Sequence, residues 1–321
     1  MYCLVCPFSK TFDEVWVTYS VPDFLNDDIK IWQIVEISFN KKNILWIVLD
    51  LTNNLNIDFD KDKILEIIKI KNENIFLSWY RVELIKWIAK YYFTAIHNSF
   101  SLFIPKNLKE KIIKDKLDFN KGYKLDYSFN YTNKLSVTQK NAYNEIINSK
   151  NNKILLYWLT WSWKTEIYIN LIKENLDNNK QSLFLIPEII LTNQLADKIK
   201  NIFWDEVLII NSTITEAKKT QNWLKINNND AKIVIWTRSA LFYPYNNLWL
   251  IIIDEEHDNS YISDSSPRYN SIKIAEKITE LNWNKLILWS WTPSINSMYK
   301  AITNKYKLVS LLNTYNKDNI N

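Results

Sequence analysis

Residues 158–165 read W-L-T-W-S-W-K-T, behind the apolar run "KILLY" and ahead of a helical segment. Lys164-Thr165 at that junction has the layout of a phosphate-binding loop, G-x-x-x-x-G-K-[ST], but tryptophan stands at both glycine places, Trp158 and Trp163, and again between them at Trp161, where the loop also needs a glycine. With glycine there, the backbone N–H groups of the loop, including that of Ser162, and the helix N-terminus would cradle phosphates. Lys164 would reach the β- and γ-phosphates, and Thr165 would place its hydroxyl on Mg²⁺. With indoles, Cβ opposes the backbone conformations required, and the side chains fill the space a phosphate needs.

A second group lies 90 residues on. "LIIIDEEHD" is a buried-strand run ending in acids. Asp254 suits a Mg²⁺ ligand and Glu255 a base that orients an attacking water, both regular roles in phosphoryl transfer. His257 is placed to link nucleotide state to neighbouring motifs. "LILWSWTPS" offers the hydroxyls of Ser290 and Thr292 beside the same site, and Thr237-Arg238-Ser239 at another strand end can hold a nucleic-acid phosphate.

Composition bears on the tryptophans. The chain of 321 residues has one glycine, Gly122, and fifteen tryptophans. Ordinary usage of about 7% glycine would give roughly 22. No folding argument makes an α/β protein avoid glycine, since turns and helix ends need positive φ. The simplest account is that most Trp letters stand for glycine. UGA is read as glycine in some bacterial lineages and as tryptophan in other codes. The alternative is a decayed relative whose tryptophans are real.

The elements that position these residues follow from periodicity. "IVEISF" and "ILWIVLDL" read as strands joined by the polar tetrad "NKKN"; "DKILEIIKI" and "VELIKWIAKYYFTAI" have helical spacing. Residues 1–105 therefore form a small β-rich domain. Residues 106–130 are charged and weakly periodic, a linker with room for one short helix. From 131 to 321, "KILLY", "SLFLI", "KIVI", "LIII" and "KLIL" alternate with helical segments. That pattern predicts an α/β fold, a parallel sheet with helices on both faces. In such sheets ligands sit at the carboxyl ends of the strands, where the motifs fall.

The bulk properties exclude some classes. No run of 18 apolar residues is present, so no membrane span is expected. "MYCLVCPFSK" lacks the apolar core of a secretory signal, and two cysteines, Cys3 and Cys6, make no disulfide framework, so a cytoplasmic setting is expected. The C-x-x-C has no second pair to complete a zinc site. A net charge of +5 permits a nucleic-acid partner without requiring one.

Together the motifs resemble superfamily 2 helicases and, more narrowly, the PriA family of replication-restart DNA helicases. "LTWSWKTEIY", "LIPEIILTNQ", "IVIWTRSALF", "IIIDEEHDNSY", "PRYNSIKIA" and "LWSWTPS" carry the resemblance across 135–310, and "TFDEVWVTYSVP" carries it more loosely near the N-terminus. The resemblance implies ATP- and Mg²⁺-dependent 3′-to-5′ unwinding at forks, with forked and single-stranded DNA, primosome proteins and single-strand-binding protein as partners. It places Asp13 in a pocket for a DNA 3′ end and Thr138 and Gln139 ahead of the phosphate loop. It also puts Pro187, Glu188, Thr192, Thr237, Arg238, Ser239, Arg268 and Tyr269 on DNA. Tyr269 there belongs to an aromatic loop on which bases could stack, with a plain solvated loop as the alternative. The family's second ATPase lobe and zinc cysteines have no counterpart, and a winged helix has little room in 106–130. The chain is thus expected to be a truncated front half whose own hydrolysis is poor. Two other readings stay open: a non-catalytic DNA-binding remnant with a dead loop, and another superfamily 2 translocase. In the family pattern Trp158, Trp161, Trp163, Trp236, Trp249 and Trp289 fall on glycines, and in its looser stretches Trp16, Trp32, Trp46, Trp204 and Trp283 are matched to glycine as well; Trp291 falls where a small residue is usual. Trp87 and Trp223 fall on tryptophans.

Overall fold

The computed structural model describes residues 1–7, 17–54, 63–72, 78–114, 134–158, 164–187, 194–203, 207–209 and 214–311. They fall into two compact units, Met1–Asn120 and Lys121–Asn321.

The first unit is built on five antiparallel strands: β1 (Tyr2–Pro7), β2 (Val17–Ser20), β3 (Ile34–Phe39), β4 (Lys42–Thr52) and β5 (Ile67–Asn72). Their order is β2-β1-β4-β3-β5. The tetrad "NKKN" makes the β3–β4 hairpin. Phe39 pairs with Lys42, and the two residues between them, Asn40 (φ 50°) and Lys41 (φ 62°), both turn left-handed. That twist matches the strands on either side. Of the segment expected to be helical, 62–70, the part from Ile67 on is instead in β5. Its β-branched Ile67 and Ile70 pair with Ile37 and Val35 of β3, so an open sheet edge overrides a weak helical period. Helices α1 (Trp79–Tyr91), α2 (Ile96–Ser101) and α3 (Lys106–Ile113) follow. Leu108 and Ile112 of α3 are buried, so the helix at 106 belongs to this unit rather than to a linker. Cys3 and Cys6 are buried thiols whose pKa burial pushes up to about 12, which leaves them unreactive.

The second unit holds seven strands in the order β12-β6-β11-β10-β7-β9-β8, parallel throughout. Five were legible as apolar runs: β6 (Lys153–Trp158), β7 (Gln181–Leu185), β9 (Ile233–Trp236), β10 (Leu248–Ile253) and β11 (Lys285–Ser290). β8 (Val207–Ile209) and β12 (Lys307–Leu311) complete the edges. The connecting helices are α4 (Val137–Asn148), α5 (Lys164–Asp177), α6 (Gln194–Phe203), α7 (Glu216–Asn227), α8 (Ser271–Asn282) and α9 (Ile295–Ile302). Leu250, Ile251, Ile252 and Ile253 are buried in succession, because both faces of a parallel sheet are covered. One face meets α5, with Ile167, Leu171 and Ile172 in a shared core with Ile154, Leu156 and Ile252. The described residues thus form an α/β unit on a parallel sheet, preceded in sequence by a small antiparallel unit.

Candidate functional site

The carboxyl ends of β6, β10 and β11 point to one place. Lys164, the first residue of α5, is buried, and its ammonium donates to Asp254 Oδ1 at 2.8 Å, with Glu255 Oε1 at 3.7 Å. Asp254 sits just past β10, and its N–H donates to Leu185 O at 3.0 Å. Burial raises the pKa of Asp254 above the ordinary carboxylate value, against the opposing pull of Lys164. Glu255 is pushed up to about 7, first by burial and also by the neighbouring Asp254 charge, while Lys164 pulls the other way. Its backbone is left-handed (φ 47°), a conformation that costs a non-glycine residue about 1–2 kcal/mol. Strained backbone and a carboxyl poised near neutrality coincide in one residue, as they do at functional sites.

Around the acids runs a polar line. His257 Nδ1 lies 2.7 Å from Ser290 Oγ and 3.6 Å from Glu255 Oε2. Ser290 Oγ accepts the N–H of Thr292 at 3.0 Å, so both hydroxyl residues of that strand end stand beside the box. Tyr261, which the sequence reading missed, donates its hydroxyl to the carbonyl of Asp254 at 2.6 Å and lies 3.2 Å from that of Leu185. It ties the ends of β7 and β10 together. A tyrosine five residues past an acidic box gives no signal of this in sequence.

The family model described as 3′DNA-binding domain (3′BD) of PriA matches residues 3–105, and the one described as Type III restriction enzyme, res subunit, matches 132–293, half of the chain. The replication restart protein PriA of Rickettsia prowazekii is 35% identical over 313 residues, 97% of this chain and 46% of that protein. That of Helicobacter pylori is 34% identical over 282 residues, covering 88% and 42%, and that of Bacillus subtilis is 37% identical over 173 residues, covering 54% and 22%. The chain belongs to the PriA family. It spans about half the length of the first of these relatives. A match to the Pyrococcus furiosus Hef helicase domain (TM-score 0.42, 18% identity, 55% of this chain and 37% of that chain) is too slight to carry weight.

Other residues singled out by the PriA resemblance are scattered around this centre. Gln139 completes a capping box on α4, taking the Ser136 N–H on its side-chain oxygen at 2.7 Å, and Thr138 stands beside it in the same turn. Thr237 is buried and Ser239 exposed. Arg238, between them, donates to the carbonyls of Ser260 (2.9 Å) and Ile262, so it holds the 259–262 turn as well as facing outward. Pro187 is buried, and Arg268 is exposed after the cis Ser266–Pro267 bond. Tyr269 corrects its expected role. Its ring is buried edge-on against Phe242, 4.9 Å between centroids, and offers no face to a base. Asp13, Trp161, Ser162, Trp163, Glu188 and Thr192 lie outside the described residues, as do Trp16 and Trp204. Trp158 ends β6. Thr165, half-buried on the first turn of α5, adjoins Lys164.

The tryptophans sort by geometry. α5, α7 and α9 are each followed by a left-handed asparagine: Asn179 (φ 57°), Asn229 (φ 63°) and Asn304 (φ 57°). Directly after α8, Trp283 is left-handed too (φ 57°), and the residue is 76% exposed. Trp32 has φ 77°, and its buried indole N–H has no partner. Trp249 is the extra residue of a bulge, where Leu248 pairs Gln181 and Leu250 pairs Ser182. Trp289 is fully buried with an unpartnered indole N–H, its ring centre 3.1 Å from Lys164 Nζ. Left-handed helix ends and bulges are glycine positions. By contrast Trp223 is buried on α7, and Trp87 stacks on Tyr91 at 4.6 Å, four residues on along α1. Trp46 packs in the first unit's core beside Phe39, 5.1 Å away, and its geometry makes no demand for glycine.

Proposed function

We propose that this chain is the front half of an ATP-dependent 3′-to-5′ DNA helicase that acts at replication forks, with glycine in the living cell at most positions printed as tryptophan. The observation that carries the reading is the contact of Lys164 with Asp254 and Glu255 across the ends of α5 and β10. The family membership supports the reaction, and the match of 3–105 supports a 3′-end-binding role for the first unit, with Asp13 as its pocket carboxylate.

The donor set suits Mg²⁺–ATP. Thr165 and Asp254 supply the oxygens for the cation, and bound nucleotide supplies the free energy of phosphate transfer. Lys164 moves its ammonium from Asp254 to the phosphates. Glu255, with its carboxyl near neutrality, orients a water and takes its proton. His257 and Ser290 hold the far side of Glu255. Thr138 and Gln139 lie ahead of the loop in the nucleotide-binding role of the family. Thr237, Arg238, Ser239, Pro187, Glu188, Thr192 and the exposed Arg268 are assigned to the DNA track, where basic and hydroxyl groups position phosphates. Forked and single-stranded DNA, primosome proteins and single-strand-binding protein are the partners this assigns, in the cytoplasm. Among the described residues no helix is long and apolar enough to cross a membrane.

Tryptophan at 158, 161 and 163 would oppose the loop backbone that a phosphate needs, and the Trp289 ring caps Lys164, so all four are incompatible with this chemistry. The deciding experiment is an ATP titration of two chains, one as printed and one with glycine at those four positions. Micromolar binding by the glycine chain alone is expected; no binding by either, or binding by the printed chain, would overturn the reading.

A further inference from the structure

Glu255 and Glu256 are neighbours, but their carboxylates face different partners. Glu255 looks to Lys164. Glu256, 2% exposed, reaches across to the start of α9. Its Oε1 accepts the Ser294 N–H at 2.6 Å, and its Oε2 accepts the hydroxyls of Ser294 (3.0 Å) and Ser297 (2.9 Å). Its own N–H donates to Trp289 O at 2.9 Å. Both ends of the 290–294 turn are therefore fastened to one residue. The turn in between carries Ser290, whose Oγ sits 2.7 Å from His257 Nδ1. A carboxylate suits the place: it is acceptor-only, three donors converge on it, and the helix N-terminus favours negative charge.

We propose that Glu256 is the positioning residue of the acidic box. It locks the 290–294 turn and the first turn of α9, and so holds Ser290 and His257 in register with Glu255. This rests on the hydrolytic reading above and adds a residue to which neither sequence nor family membership gave a role.

The test uses the full-length protein bearing glycine at the positions argued above. Glu256→Ala is expected to lower kcat for ATP at least tenfold, with KM within about twofold. Glu256→Gln, which can still accept from the Ser294 N–H and donate to the hydroxyls, should recover most of kcat. Glu276→Ala cuts another tether of α9, to Lys300, and should lower Tm without this loss of kcat. Parent-like kcat in Glu256→Ala, or an equal loss in Glu276→Ala, overturns the proposal. Hydrogen exchange at amides 290–297 provides a readout independent of turnover. Exchange at least tenfold faster in Glu256→Ala is expected, and unchanged exchange also overturns the proposal. A parent protein with no turnover sinks the hydrolytic reading instead, and the exchange result then decides whether Glu256 holds the turn.

Discussion

The ammonium of Lys164 lies 3.1 Å from the centre of the Trp289 ring, between that ring and Asp254. An indole in this place satisfies part of the lysine's charge and blocks its approach to anything else. In a chain with glycine at 158, 161 and 163, changing Trp289→Gly as well should tighten ATP binding at least tenfold. Calorimetry of the triple and quadruple variants reads this directly; equal affinities would show that the ring moves aside.

Trp283 and Trp223 should respond with opposite sign. Trp283→Gly relieves a left-handed tryptophan and removes a side chain that is mostly in water. A gain on the order of 1 kcal/mol is expected, about 3 °C in Tm for a unit of this size. Trp223→Gly empties a buried site on α7 and adds a helix glycine, a loss of roughly 4 kcal/mol. Thermal unfolding of the two variants separates recoded from native tryptophan without any nucleotide. Destabilisation by both would argue that position 283 is a true tryptophan.

Much of this was legible beforehand, and the reasons are local. Buried parallel strands announce themselves as short aliphatic runs, so five of the seven strands in the second unit could be read. β8, at Val207–Ile209, is three residues long and only half-buried, too short for any period to show. β5 carries helical spacing by accident, and only the neighbouring edge of β3 decides its state. Lys164, Asp254 and Glu255 were legible as a candidate group because the reaction proposed for them calls for fixed residue types, at the start of α5 and just past β10. Tyr261 and Glu256 act through contacts with residues 76 and 41 positions away, and no local pattern encodes those. Tyr269 misled for the converse reason: an aromatic in a polar loop reads as exposed until Phe242 is found over it.

The raised pKa of Glu255 sets a pH dependence. If Glu255 takes a proton from water, turnover needs its ionised form, so kcat should rise with pH through about 7 and level off above. Glu255→Gln should lower kcat at least a hundredfold and remove that acid limb. The stability contribution runs the other way. A folded pKa above the unfolded 4.5 favours the folded state at low pH, and this advantage disappears as pH climbs from 4.5 through 7. Stability profiles of the parent and Glu255→Gln should therefore diverge across that window, and parallel profiles would contradict the shift.

Tyr261→Phe isolates the hydroxyl that joins the carbonyl of Asp254 to that of Leu185. The ring stays and one donor is lost, leaving buried carbonyls with one partner fewer. A destabilisation of about 1–2 kcal/mol is expected. Asp254 also takes its place from its own N–H bond to Leu185 O, so its carboxylate should shift only slightly and ATP affinity should fall less than threefold. If affinity instead fell as far as it does on removing the Asp254 carboxylate, the tyrosine would be the main support of the magnesium ligand. Nucleotide titration of Tyr261→Phe beside Asp254→Ala distinguishes the two cases.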